Sequence, residues 1–409
     1  LGASALTQVF GQIQGAPADL DAAEDLKKFF AFIRQARQDG LLLAYHDRSD
    51  GGLFASVAEM CFAGHCGIAM DISSVPGNED AVAALFNEEI GVVIQVLDAQ
   101  VSKLQQLAKE CSLDPLLHNL GKPVSGDEIV ISRGKDELYS EKRSSLQQIW
   151  SATSHQIQRM RDNSQCADEE FAGIASGETE LAPELSFDLN EDITAPFVNV
   201  AAKPRVAVLR EQGVNGHVEM GAAFDRARFE AVDVHMTDLF SGRISLADFN
   251  VMVACGGFSY GDVLGAGGGW AKSVLFNEKL SAEFERFFHR GDTLTLGVCN
   301  GCQMVSLLKD LIPGAAHWPQ FVRNASEQYE GRLSQVQVEE SPSVFFQGMA
   351  GSRFALAVAH GEGRALFANE ADANSSAVES LTSIRYVDAK GEVANVYPVN
   401  PNGSPAGDP

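Results

Sequence analysis

The sequence lacks several features that would assign it to common classes of protein. No run approaches the roughly 20 apolar residues of a membrane span, although 45% of the 409 residues are hydrophobic. The N-terminal residues do not show a basic stretch followed by an apolar one, which is the pattern of a secretory signal. Basic residues are scarce, 31 against 55 acidic ones, so the net charge is −24. That balance argues against a nucleic-acid partner, and we expect no membrane partner either.

Cysteine is also sparse. The seven cysteines are odd in number and lack the spacing of a disulfide scaffold, which favours a reducing compartment and predicts a cytoplasmic protein. Cys299 and Cys302 have no second Cys-x-x-Cys pair with which to form a zinc site. The acidic surplus indicates solubility and no particular substrate. The length is sufficient for two or three domains.

The most informative stretch is Leu296–Gln303, which reads Leu-Gly-Val-Cys-Asn-Gly-Cys-Gln. It follows a β-prone apolar run and opens a helix-like run, and a glycine stands two residues to either side of Cys299. This is the arrangement of a nucleophile elbow. The N-terminus of the following helix favours a thiolate. The alternative interpretation is that Cys299 and Cys302 are small core residues, as free cysteines commonly are.

Three further strings accompany the elbow. The set comprises Gly256–Asp262, Gly297–Gln303, Phe321–Gln328 and Ala359–Gly363. Together they resemble the glutaminase end of the large, single-chain formylglycinamidine ribonucleotide synthetases. These are ligases of purine biosynthesis that carry a class I glutamine amidotransferase domain. The resemblance runs the length of the chain.

The resemblance implies a mechanism for glutamine hydrolysis. Cys299 would attack the side-chain carbonyl of glutamine, expel ammonia and leave a glutamyl thioester for water to cleave. The N–H of Asn300 would be one donor to the oxyanion, and the second would come from Phe258. Gly257 and Gln303 match positions that contact the substrate glutamine.

In the resembling enzymes, the ammonia travels to a remote site. There, formylglycinamide ribonucleotide activated by ATP takes up the nitrogen. That site belongs to parts of the synthetase that this sequence does not contain, so the remainder of the synthetase is the expected partner.

Class I glutaminases complete their triad with a His-Pro-Glu string, and this sequence has none. We therefore expect the chain to be a C-terminally truncated fragment. His360 and Glu362 follow a predicted strand and could approach the site, but they belong to a different family string. The alternative function is a non-catalytic interaction module with a glutaminase fold that lacks its His/Glu base.

The N-terminal part carries a second motif. Asp47–Leu53 joins a predicted strand to a predicted helix through an Asp/Ser/Gly turn, which suits a metal-phosphate site. Alternatively, Asp50 or Ser49 simply caps the helix. With Asn87–Val93 downstream, the turn resembles the C-terminal domain of the aminoimidazole ribonucleotide synthase superfamily. The resemblance implies binding of ATP or ADP with Mg²⁺, with Asp47 as a metal ligand and Ser49 as a nucleotide contact.

These patterns predict an α/β protein in three parts. Residues 1–135 would be a partial α+β module, and residues 136–203 a helical and acidic connector, with a long helix over 136–161. From residue 204 to 409, strands alternate with helices as in a doubly wound, flavodoxin-like glutaminase domain, including one helix over 273–289. Ligands bind outside the carboxyl ends of such strands, which would bring the Gly256 loop and Cys299 to one rim.

Overall fold

The computed structural model describes residues 1–20, 22–176, 181–199, 202–374 and 380–407. The chain forms two compact units, Leu1–Gln156 with Phe171–Gly177 and Ile157–Glu170 with Glu178–Pro409. Their mixed helix and strand content confirms the predicted α/β class. Over the described ranges, no helix has both the length and the apolar character needed to cross a membrane.

The described residues up to 176 form seven α-helices and six strands. In chain order they are α1 Ala5–Val9, α2 Ala23–Gln38, β1 Ala44–Asp47, α3 Gly52–Gly64, β2 Gly67–Asp71, α4 Ala81–Phe86, β3 Val92–Gln95, α5 Val101–Glu110, β4 Gly121–Val124, β5 Glu128–Arg133, β6 Asp136–Lys142, α6 Arg143–Arg161 and α7 Ser164–Ser176. The sheet order is β4-β2-β5-β6, with β2 parallel to β5 and the other pairs antiparallel. β1 and β3 form a separate antiparallel pair.

The start of the predicted connector helix is wrong. Residues 136–142 form strand β6, which pairs with β5, and the helix begins only at Arg143. Leu138 and Tyr139 pack on the core that α3 forms with the sheet, whereas Glu137 and Glu141 are exposed. Burial against β5 therefore overrides the helical propensity of this polar stretch.

Residues 181–407 contain the remaining elements. In chain order they are β7 Arg205–Arg210, α8 His217–Arg226, β8 Glu230–His235, α9 Met236–Ser241, β9 Val251–Ala254, α10 Gly268–Leu275, α11 Glu278–Phe288, β10 Leu294–Gly297, α12 Asn300–Leu307, β11 Gln320–Val322, β12 Glu330–Val338, β13 Arg353–His360, β14 Arg364–Leu366, α13 Glu370–Ala373 and β15 Ile384–Tyr386.

A four-stranded parallel sheet organises the second unit. Its order is β8-β7-β9-β10, which is 2-1-3-4 in chain order and matches the flavodoxin-like arrangement. β9 is fully buried and β7 is buried except at its two terminal arginines, and the apolar side chains of these central strands pack with Trp270 of α10 and Phe284 of α11. The doubly wound prediction is confirmed, and the switch point lies between β7 and β9.

The single helix predicted over 273–289 is two helices. α10 ends at Leu275 and α11 begins at Glu278. Between them, the side chain of Asn277 accepts a hydrogen bond from the N–H of Leu280 at 3.1 Å and caps α11. The apolar residues keep their helical spacing across this break, so the spacing alone does not reveal it. The helix is interrupted because the Asn277 side chain accepts from a backbone N–H that would otherwise bond within a continuous helix.

Two antiparallel sheets complete the second unit. β12 lies between β13 and β15, and β11 pairs with β14. The 400–407 segment is fixed by buried asparagines: Asn402 donates to the carbonyl of Gly363 at 3.0 Å, and Asn400 donates to the carbonyl of Ser404 at 2.9 Å. These bonds hold the turn after β13 close to the C-terminal segment.

Candidate active site

Cys299 occupies a sharp turn between β10 and α12. Its backbone has φ 52° and ψ −118°, a conformation that is costly for a residue with a side chain and is concentrated at functional sites. The side chain is exposed. The sequence predicts this geometry, because a strand must turn abruptly into a helix at the residue between the two glycines.

The two glycines are needed because backbones approach closely. A Cβ on Gly301 would lie 2.0 Å from the carbonyl oxygen of Ala254 in β9, and one on Gly297 would lie 2.8 Å from the Cα of Cys302. Neither position has room for a side chain. The first turn of α12 therefore packs directly on the sheet, which holds Cys299 at the sheet edge.

A pocket of about 400 Å³ opens beside Cys299. Its lining residues come from the loops after β7 and β9, from α8, from the elbow and from the segment around β12 and β13. They are Asn215, Gly216, Glu219, Met220, Ala223, Gly256, Gly257, Phe258, Val298, Cys299, Tyr329 and Ala359. The pocket lies at the carboxyl ends of the central strands, where the sequence predicts the Gly256 loop and Cys299 to meet.

Sequence reasoning missed Glu219 and Tyr329 as pocket residues. Tyr329 directly follows the Phe321–Gln328 string, so its position in the sequence offered a signal. Glu219 belongs to a His-x-Glu string that a helix start explains equally well. The structure puts His217 at the first position of α8 and Glu219 at the pocket wall.

The backbone donors differ in part from those predicted. The N–H of Phe258 donates to the carbonyl of Gly213 at 3.0 Å, so it is committed to the loop after β7 and does not face an oxyanion. Among the described residues, the N–H groups of Gly257 and Asn300 have no backbone acceptor. These two groups replace the predicted pair of Phe258 and Asn300 as candidate donors.

Gly257 takes up a conformation that only glycine adopts easily. Its φ is +147°, and a Cβ there would lie 2.6 Å from the Cα of Val214. The two residues form an isolated antiparallel bridge. This bridge directs the N–H of Phe258 toward Gly213 and leaves the preceding N–H beside the pocket.

Gln303 is held by two hydrogen bonds. Its Nε2 donates to the carbonyl of Glu362 at 2.7 Å, and its Oε1 accepts from Nδ2 of Asn300 at 3.1 Å. In this arrangement the side chain ties α12 to the turn after β13. Its predicted contact with glutamine remains a prediction.

His360 and Glu362 lie on the turn after β13. The ring of His360 packs against Gly363, where a Cβ would come within 2.1 Å of Cε1, and burial lowers the pKa of His360. Burial, together with the charge of Asp262, raises the pKa of Glu362. Of the described residues that line the pocket, none is a histidine.

The two elbow cysteines differ in environment. Cys302 lies on the first turn of α12, on the far side from the pocket, and lines a separate apolar cavity of about 420 Å³. Burial, followed by the charge of Cys299, raises the pKa of Cys302 to about 11. The core interpretation therefore suits Cys302, and the nucleophile interpretation suits the exposed Cys299.

In the N-terminal motif, no described side chain caps the start of helix α3. Gly51 is the N-cap of α3 with φ 81°, and neither Asp50 nor Ser49 caps the helix. Instead, the N–H of Gly51 donates to Oε1 of Glu88 at 2.9 Å. The same oxygen accepts from the N–H of Ala5 at 2.8 Å. Glu88 is thus a structural acceptor for this turn.

Asp47 and Ser49 are both exposed. The hydroxyl of Tyr45 donates to Oδ1 of Asp47 at 2.5 Å, and burial raises the pKa of Tyr45 to about 12, so its hydroxyl stays protonated at neutral pH. Across the described parts of the chain, no three His, Cys, Asp or Glu side chains converge as a metal site. Asp47 therefore offers one oxygen-donor side chain, of the type that Mg²⁺ prefers.

Comparison with known families accounts for both parts of the chain. Residues 203–407 match the family described as CobB/CobQ-like glutamine amidotransferase domain. The chain belongs to this family. Residues 1–132 match the C-terminal domain of AIR synthase related proteins. The two matches, in this order, confirm the resemblance to formylglycinamidine ribonucleotide synthetases.

The solved structures with detectable similarity include several from Thermotoga maritima. PurLQS is 24% identical, with a TM-score of 0.38, over 51% of this chain and 80% of that chain. PurL complexed with ATP is 16% identical, with a TM-score of 0.27, over 29% and 21%. PurL complexed with FGAR is 17% identical, with the same TM-score, over 30% and 21%. This chain thus spans about a fifth of the length of PurL.

Proposed function

We propose that the chain hydrolyses glutamine through Cys299 and supplies ammonia to a formylglycinamidine ribonucleotide synthetase. The observation that carries the proposal is the exposed Cys299, held at φ 52° beside a pocket of about 400 Å³. Gly257, which lines this pocket, and Asn300, which directly follows Cys299, have backbone N–H groups with no backbone acceptor within the described residues. A nucleophile, a substrate-sized space and oxyanion donors are the components that acyl transfer requires.

The chemistry proceeds in two steps. The Cys299 thiolate adds to the side-chain carbonyl carbon of glutamine, and the carbonyl electron pair moves to oxygen, where the N–H groups of Asn300 and Gly257 stabilise it. The oxyanion then collapses, the C–N bond breaks, and the leaving nitrogen takes a proton and departs as ammonia. Water adds to the thioester, releases glutamate and restores the thiol.

The resemblance to formylglycinamidine ribonucleotide synthetases suggests the ammonia acceptor. In this proposal it is formylglycinamide ribonucleotide, activated by ATP in the remainder of the synthetase. The N-terminal module would bind ATP or ADP, with Ser49 contacting the nucleotide. Asp47 would supply one oxygen ligand to Mg²⁺, which would offset the negative charge of the nucleotide phosphates. PurL of Thermotoga maritima has been solved in complex with ATP and with FGAR.

A second candidate is a non-catalytic module that docks on a synthetase. One observation favours it: among the described residues lining the pocket there is no histidine that could act as general base. General acid–base catalysis contributes roughly 10²–10⁴-fold. Under the first proposal, the isolated chain therefore forms the covalent adduct but turns over slowly. Under the second, Cys299 has no special reactivity toward glutamine analogues.

Covalent labelling separates the two candidates. The chain is incubated with an electrophilic glutamine analogue, and the adduct is mapped by peptide mass spectrometry. The glutaminase proposal predicts one adduct on Cys299, slowed by free glutamine and unaffected by free asparagine. Cys302→Ser is the matched control, because it removes a thiol three residues away and should leave the labelling intact.

The opposite result is equally clear. It is that Cys299 reacts with the analogue no faster than with iodoacetamide at the same concentration, and that free glutamine does not slow the reaction. In that case the pocket does not recognise glutamine. The docking module would then be the remaining candidate.

A further inference from the structure

We propose that the side chain of Asn300 is a positioning residue that holds the oxyanion loop, defined as residues 256–262, against the nucleophile elbow. This inference rests on the proposed function, in which the backbone N–H of Asn300 is an oxyanion donor. The side chain has a separate task. It touches neither reacting atom and acts by fixing the loop that carries Gly257.

The Asn300 amide uses both of its ends. The residue is only 1% exposed. Its Oδ1 accepts hydrogen bonds from the hydroxyl and the N–H of Ser259, at 2.6 and 3.2 Å. Its Nδ2 donates to Oδ1 of Asp262 at 2.9 Å and to Oε1 of Gln303 at 3.1 Å. Two of the partners lie in the oxyanion loop, one at its middle and one at its end.

The oxyanion loop is strained and needs such anchors. Tyr260, Gly261 and Asp262 have φ values of 53°, 61° and 52°, and Gly257 has φ +147°. Left-handed backbone at non-glycine residues such as Tyr260 and Asp262 is unfavourable and persists only where surrounding contacts determine it. The Asn300 amide bonds Ser259, which directly precedes these residues, and Asp262 at their end, so it is placed to hold this conformation.

The same amide reaches the turn after β13 through Gln303. Nε2 of Gln303 donates to the carbonyl of Glu362 at 2.7 Å. Two linked side chains, Asn300 and Gln303, therefore join three segments that are distant in sequence: the oxyanion loop, the first turn of α12 and the turn after β13. A change at Asn300 is expected to loosen the loop while the elbow, which the sheet holds through Gly301, stays in place.

Only an amide satisfies this set, because it must accept from Ser259 and donate to Asp262. In Asn300→Asp the donor is lost and a second carboxylate faces Asp262. Adding Asp262→Asn restores this hydrogen bond with donor and acceptor exchanged, since the new amide at 262 can donate to the new carboxylate at 300. Asparagine also tolerates the left-handed backbone at that position. Every variant keeps the backbone N–H of residue 300.

The test compares two alkylating agents on Cys299. For Asn300→Asp, we expect the labelling rate with the electrophilic glutamine analogue to fall roughly tenfold or more, since one hydrogen bond is lost and a repulsion added. The rate with iodoacetamide, which needs no oxyanion loop, should change by less than about twofold. The Asn300→Asp/Asp262→Asn double variant should recover part of the analogue rate. Asn395→Asp, on an exposed asparagine, is the matched control.

Amide hydrogen exchange gives a readout that is independent of glutamine. The proposal predicts faster exchange over residues 256–262 in Asn300→Asp and slower exchange again in the double variant. Unchanged exchange there, or equal losses with both alkylating agents without recovery in the double variant, would overturn it. If the unaltered chain fails to react with the analogue, the proposed function fails, and the exchange data alone then decide the role of Asn300.

Discussion

Gly301→Ala should destabilise the second unit more than any surface substitution, for a reason that is visible at one contact. The new Cβ would lie 2.0 Å from the carbonyl oxygen of Ala254 and 2.3 Å from its carbonyl carbon. Both are backbone atoms of a central buried strand, so neither can swing aside. The first turn of α12 would have to lift from the sheet.

The magnitude follows from two opposing effects. Alanine is favoured over glycine inside a helix by roughly 0.5–1 kcal/mol. Overpacking a rigid interior typically costs about 1–3 kcal/mol, and occasionally more. Since the contact is with rigid backbone, we take the upper end of the overpacking cost and expect a net loss of about 2 kcal/mol in the free energy of unfolding. Gly221→Ala is the matched control: Gly221 also lies within a helix, α8, but a Cβ there meets nothing within 4 Å, so a gain of roughly 0.5–1 kcal/mol is expected.

Urea unfolding followed through the fluorescence of the fully buried Trp270 measures this pair. The alkylation rate of Cys299 in the folded state reports whether the elbow has moved. Opposite shifts in the unfolding midpoint for the two variants are the expected result. If Gly301→Ala and Gly221→Ala change stability alike, the close packing of α12 on β9 does not hold the elbow.

Three further outcomes follow from burial and charge. At pH 8, iodoacetamide should alkylate Cys299 and spare Cys302, whose reactivity should appear only as the pH approaches its pKa of about 11; peptide mapping checks this. Glu330→Gln should lower the free energy of unfolding in urea by about 2–3 kcal/mol, because Glu330 is 2% exposed and its carboxylate is bonded to Ser326 and Arg332. Glu24→Gln, at an exposed ion pair, is the control and should lower it by less than about 0.5 kcal/mol. A hydrogen bond from Arg243 lowers the pKa of Asp238. The stability that the ionised Asp238 contributes is therefore present above about pH 4 and is lost as the pH falls through its folded-state pKa. Between pH 6 and pH 2, the melting temperature of Asp238→Asn should fall less than that of the unaltered chain.

Local signals predicted the elbow well. Glycines at 297 and 301 around Cys299 fix a strand-to-helix turn over a few residues, and no distant contact is needed to recognise it. The closeness of Cys299 and the Gly256 loop was predictable because ligand sites in parallel sheets lie at the carboxyl ends of the strands.

Distant pairings decided what the sequence could not predict. β6 is a strand because β5 offers it a partner, although its own residues are polar. The N–H of Phe258 is used by the carbonyl of Gly213, because the bridge between Gly257 and Val214 turns it that way, which leaves Gly257 as the candidate donor. No spacing within the Gly256–Asp262 string contains that information.

Trapping the acyl-enzyme tests the central claim most directly. The chain is incubated with glutamine, quenched in acid and analysed by intact mass and peptide mapping. We predict a glutamyl group on Cys299 that hydroxylamine removes, present in Cys302→Ser and absent in Cys299→Ser. A chain that carries no glutamyl group, or carries it on another residue while Cys299 stays free, would contradict the account.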